Sequence, residues 1–111
     1  MAVLVLMGSA CLISCNESKN YYATSSDAVK DGAIARGWLP EVLRTNVTEI
    51  HESHDLDSNH GIADFRCSSG LISDLQQRCI LKTAADGQLG YQCESFSISL
   101  NPSKLTGHLS H

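Results

Sequence analysis

The sequence predicts a small α+β domain, with an antiparallel sheet of about four strands and two helices on one face, in the order α-β-β-α-β-β. Three observations carry that expectation. Residues 94–100 alternate strictly, with Phe96, Ile98 and Leu100 on one face and Ser95, Ser97 and Ser99 on the other, the pattern of a half-buried strand. Between Gly70 and Lys82, the set Leu71, Ile72, Leu75, Cys79 and Ile80 recurs at helical spacing. The chain is also too short for two domains once its apolar N-terminus is set aside.

The remaining elements follow in chain order. Over residues 27–36, Ala28, Val29, Ala33, Ile34 and Ala35 share a broad helical face, with Ser26 as N-cap and Gly37 as the stop. Gly32 inside this helix costs about 1 kcal/mol relative to Ala, so the helix must lean on tertiary packing. Pro40 opens a short helical turn at its first position, with Trp38 packed beside it. Residues 47–55 read as a strand, and a turn through Asp57 to Gly61 leads to a second strand marked by Ile62, Ala63, Phe65 and Cys67. In the helix over 70–82, Ser69 or Ser73 serves as cap, and Arg78 and Lys82 suit the C-terminal dipole. Asp86-Gly87 marks a turn, Tyr91 and Cys93 fall out of phase with Phe96, and residues 105–109 return as a hairpin partner after the turn at 101–104.

The N-terminus carries an address. Residues 2–7 are continuously apolar, Gly8, Ser9 and Ala10 are small, and Leu12-Ile13-Ser14-Cys15 closes the run before the chain turns polar. A spanning helix needs about 20 apolar residues, more than this run supplies. The pattern resembles bacterial lipoprotein signal peptides, in which the cysteine is acylated and becomes the first mature residue. That resemblance implies a signal peptide over 1–14, lipidation at Cys15 and a membrane partner held through that lipid. No Lys or Arg precedes the apolar run, a departure from the usual basic n-region. Asn16, in the position where Asp marks inner-membrane retention, implies an outer-membrane location facing the periplasm. Residues 15–26 read as a polar tether and 27–111 as the folded domain.

The formal charge is −4, with acidic residues scattered along the chain, so the basic footprint of a nucleic-acid binder is missing. Setting aside Cys11 and Cys15 leaves Cys67, Cys79 and Cys93. In an oxidising compartment one disulfide is expected, with Cys79–Cys93 favoured because the pair flanks a short helix-to-strand connection. Three unpaired buried thiols are the alternative. No C-x-x-C spacing supports a zinc ribbon or a redox pair, and no cofactor is implied.

The densest polar segment runs from Glu49 to His60. On a strand, Glu52 and His54 share one face and His51 and Asp55 the other, so each face offers a carboxylate beside an imidazole. Such a face is a solvated polar ladder or, with His51, His54, Asp55 and Asp57, a weak candidate metal set. The His51-Glu52-Ser53-His54 interval is wrong for a zincin helix. Asp55 to Asn59 begins like a calcium loop, but Gly61 falls one position late and Arg66 occupies the place of the closing Glu. A turn held by side-chain hydrogen bonds of Asp55 is the simpler reading. No nucleophile elbow or phosphate cradle occurs, which speaks against an enzyme and leaves a hydrolase as the weakest alternative.

Gly37-Trp38-Leu39-Pro40, continued through Thr48-Glu49-Ile50-His51-Glu52-Ser53-His54-Asp55-Leu56-Asp57-Ser58-Asn59, resembles a group of small bacterial lipoproteins and membrane-anchored proteins of uncharacterised function. The resemblance implies a shared surface at Trp38, Pro40, Glu52, His54, Asp55 and Asn59. The leading expectation is a non-enzymatic envelope lipoprotein that binds or braces another envelope protein. A small ligand- or metal-binding domain built from the His51–Asp57 segment is the alternative.

Overall fold

A computed structural model describes residues 17–111. The expected signal peptide, Cys11, Cys15 and the first residues of the expected tether lie outside the described residues. Seven strands form one antiparallel sheet in the spatial order β1-β2-β3-β7-β6-β5-β4. They are β1 (Glu17–Thr24), β2 (Val47–Asp55), β3 (Gly61–Cys67), β4 (Ile80–Ala85), β5 (Gln88–Cys93), β6 (Phe96–Asn101) and β7 (Thr106–Ser110). Helix α1 (Ser25–Lys30) and a 3₁₀ turn at Glu41–Arg44 lie between β1 and β2, and helix α2 (Ser69–Arg78) carries the chain from β3 to β4. Two meanders, β1-β2-β3 and β4-β5-β6-β7, are joined where β7 pairs with β3.

This architecture overturns the expected four-stranded α+β domain: the described residues are mostly β, with seven strands. The three unforeseen strands have little buried apolar surface. β1 buries only Tyr22 fully. β4 is exposed along its whole length, with Ile80 and Leu81 at 63% and 53%. β5 alternates weakly, its buried residues being Tyr91 and Cys93. Residues 17–24, read from sequence as tether, are therefore an edge strand paired with β2 over Glu17↔Asp55 to Thr24↔Thr48.

The expected helix over 27–36 ends at Lys30 because Gly32 adopts φ +82°, a left-handed conformation incompatible with continuation. Its cap is Thr24, whose Oγ1 accepts from the Asp27 N–H at 3.2 Å, and not Ser26. Ser25 ties α1 to β2, donating to the Val47 carbonyl at 2.9 Å and accepting from the Val47 N–H at 3.2 Å. Helix α2 begins at Ser69, and the Ser68 hydroxyl donates to Asn46 Oδ1 at 3.1 Å and makes no capping bond.

The core lies between one sheet face and the helical layer. Across the sheet, Glu52, Ala63, Leu109, Ile98 and Tyr91 are consecutive cross-strand partners, all buried. Leu39, Pro40, Leu43, Leu71 and Leu75 are buried in the helical layer, so burying the same sheet face and these helices removes apolar surface from water together. A second row runs Phe65, Gly107, Leu100 and Leu89, and Gly107 there leaves room for the Phe65 ring. Cys79 and Cys93 form a disulfide that pins the end of α2 to β5. Among the described residues Cys67 is unpaired, and burial pushes its thiol above the usual range.

Candidate functional site

The polar segment of β2 is divided by the pleat. Val47 and Ile50 are both buried although strict alternation forbids it; Glu49, at φ +50°, forms the bulge that resets the parity. After the bulge, Ile50, Glu52 and His54 point inward, and His51, Ser53 and Asp55 point outward or to the rim.

The inward pair is a buried polar cluster. Glu52 and His54 are 2% and 3% exposed, and His54 Nδ1 lies 2.8 Å from Glu52 Oε2. Asn20 of β1 donates to Glu52 Oε1 at 2.9 Å, so each carboxylate oxygen has a donor. The Trp38 ring stacks on the His54 imidazole with centroids 4.3 Å apart and planes at 25°, and Arg36 lies over Trp38 at 5.0 Å. Beside them, the Tyr22 hydroxyl donates to Asp31 at 2.6 Å, and burial together with that carboxylate raises the phenol well above its ordinary range. The polar groups are satisfied from within the fold, the condition for tolerating them in a core. The structure thus joins Trp38, Glu52 and His54 but buries Glu52, His54 and Pro40, which corrects the reading of this set as a contact surface.

Asp55, Asp57 and Asn59 belong to the β2–β3 turn. Asp55 accepts from the Asp57 N–H at 3.0 Å and the Ser58 hydroxyl at 3.0 Å, and Asn59 adopts φ +62° and donates its N–H to the Asp55 carbonyl at 2.9 Å. The bond from the Asp57 amide, and then that from Ser58, lowers the Asp55 carboxyl below its usual range. These residues build the hairpin tip. The set His51, His54, Asp55 and Asp57 is split among the open face, the core and the tip. Among the described residues no three His, Cys, Asp or Glu side chains stand ready around one metal position.

Beside the hairpin tip, His111, just past β7, lies along Gly61. The Gly61 N–H donates to the His111 carbonyl at 3.2 Å and the His111 N–H returns to the Gly61 carbonyl at 3.0 Å. A Cβ on Gly61 would stand 2.9 Å from His111 Nε2 and 2.8 Å from the Ser53 carbonyl, so glycine is what admits the imidazole. Among the described residues His111 Nε2 is buried without a partner, and desolvation lowers the pKa of this ring from its ordinary 6.5.

The outward face of the sheet is the surface that sequence reasoning did not assemble. Tyr21, His51, Asp64, His108 and Ser99 are consecutive cross-strand partners over β1, β2, β3, β7 and β6. His108 Nδ1 lies 2.8 Å from Asp64 Oδ1, His51 tilts against the Tyr21 ring with centroids 4.8 Å apart, and Arg66 reaches Glu49 at 3.5 Å. The Ser99 hydroxyl donates to Gln88 at 3.3 Å. Apart from Tyr21, these side chains, together with Asn101 and Lys104, line an open groove of about 470 Å³. The signal for this face was present in the 62/64/66 parity of β3, opposite to the buried 61/63/65 set. The partnership of β3 with β7 was not, because it joins residues 44 apart in sequence.

Residues 17–66 match the family model of the YbbD head domain, a match that indicates a bacterial family of uncharacterised type. The chain has no match among curated proteins and none among solved structures. The matched span holds the Trp38–His54–Glu52 cluster and the β1–β3 half of the open face, including His51 and Asp64, and excludes Ser99 and His108.

Proposed function

We propose that this protein is a non-enzymatic module of a bacterial envelope, anchored by lipid on Cys15 at the outer membrane, which holds another envelope protein against the open polar face of its sheet. The observation that carries the reading is the asymmetry of the sheet. Helices and the 38–44 loop bury one face, and the other presents exposed rows of alternating charge and hydrogen-bonding groups: Glu49 with Arg66, Asp64 with His108, and Ser99 with Gln88. Paired charges on a rigid sheet suit a partner of complementary mixed charge, since electrostatic matching fixes register and rejects wrong partners. The Leu12–Cys15 pattern supports the anchor.

Cross-linked capture from envelope extracts tests the surface. Ser99→Arg, central on the open face, is expected to lose the partner that the wild type retains, and Trp38→Ala, provided it stays folded, is expected to keep it. Capture by Ser99→Arg equal to wild type would refute the proposed surface. The anchor is tested separately: Cys15→Ser should release the protein from the membrane fraction, and an unchanged distribution with an unmodified intact mass would refute lipidation.

A further inference from the structure

We infer that His51, Asp64 and His108 form a zinc-binding site on the open face. The three are direct cross-strand neighbours on β2, β3 and β7, with the carboxylate in the middle strand. Facing residues on adjacent antiparallel strands stand about 4.5–5.5 Å apart at Cα, so two imidazoles flank one carboxylate at a spacing their side chains can close over a single ion. Zinc prefers imidazole nitrogen and carboxylate oxygen, completing its shell with solvent where the protein supplies three ligands. Asp64 Oδ1 and His108 Nδ1 already stand 2.8 Å apart, near the separation of two ligand atoms on one ion, so zinc can replace the hydrogen bond between them. Asp64 Oδ2 has no hydrogen-bond partner among the described residues. Of the two cationic side chains that line the groove, Arg66 is engaged by Glu49 at 3.5 Å, and Lys104 is the other.

The ring of His51 now lies against Tyr21, so the ligands converge only after His51 rotates away from that ring. Closing the site therefore costs the Tyr21–His51 contact, and this makes a signed prediction. Zinc binding here is independent of the lipid anchor and of the protein partner, so its failure would leave the envelope reading intact.

Isothermal titration of Zn²⁺ into the full chain carrying Cys67→Ser, which removes the competing described thiol, reads the site. One ion per chain is expected; His51→Ala and His108→Ala should each weaken binding about tenfold or more, Tyr21→Ala should tighten it, and His60→Ala should leave it unchanged. Far-UV circular dichroism identifies any variant that fails to fold, and Asp64→Asn then serves as the substitute with the same expected weakening. Absence of zinc binding, binding that survives His51→Ala and His108→Ala undiminished, or loss on His60→Ala would overturn the assignment.

Discussion

Glu52→Gln probes the buried cluster most sharply, because the substitution keeps the shape of the side chain and removes one acceptor. In the native protein the two carboxylate oxygens accept from Asn20 at 2.9 Å and from His54 at 2.8 Å, at 2% exposure. An amide offers one oxygen, so one of those donors meets an NH₂ group. The relief available is a shift of the His54 proton to Nε2, with Nδ1 accepting from the new amide. Leaving a buried donor unmatched costs about 1–3 kcal/mol. Glu52→Ala, which strands both donors, should cost about 3–5 kcal/mol. Trp38 is the sole tryptophan and stacks on His54, so its fluorescence reports this site during urea unfolding. With a urea slope of about 1–3 kcal/mol/M, a loss near 2 kcal/mol moves the midpoint by roughly 1 M. Midpoints for both variants within roughly 0.2 M of wild type, at unchanged slope, would refute the view that this cluster is a satisfied core network.

Further outcomes follow from the packing and from the buried groups. Gly107→Ala adds a Cβ that collides with the Phe65 ring and stands 2.7 Å from Leu100 Cδ2, so thermal unfolding should show a loss of about 1–3 kcal/mol. Reducing the Cys79–Cys93 disulfide, which spans a separation of 14 residues, should cost about 3 kcal/mol, read as a fall in melting temperature with reductant. His111 has a folded value depressed below 6.5, so the folded state holds fewer protons and its contribution to stability is present above pH 6.5 and lost as pH falls through the folded value. Melting temperatures measured from neutral to acidic pH should therefore drop less steeply for His111→Gln than for wild type. The Cys67 thiol, raised by burial, should alkylate more slowly in the folded protein than after unfolding at the same mildly alkaline pH.

Legibility in the sequence followed burial. β2 was readable over its full length, β6 through its Phe96/Ile98/Leu100 alternation, and α2 through Leu71 and Leu75, because each has a core side that leaves a periodic trace. β1 and β4 are edge strands. Their sequences, ESKNYYAT and ILKTAA, lack that trace because one is polar and touches the core chiefly through Tyr22, and the other stands clear of it. Within β2, the pairing of Glu52 with His54 on one face was legible from the pleat. Ile50 shares their parity and was the clue that this face is the core. The open face depends on β3–β7 pairing, and a long-range partnership leaves no local pattern from which Asp64 and His108 can be brought together.

The pleat divides the polar segment, sending Glu52 and His54 inward and His51 outward beside Asp64 and His108. Carbethoxylation of the native protein, with the modified histidines mapped by mass spectrometry, tests that division directly. His51 and His108 should react readily and His54 should stay protected until the protein unfolds, whereas native modification of His54 as fast as His51 would contradict that division.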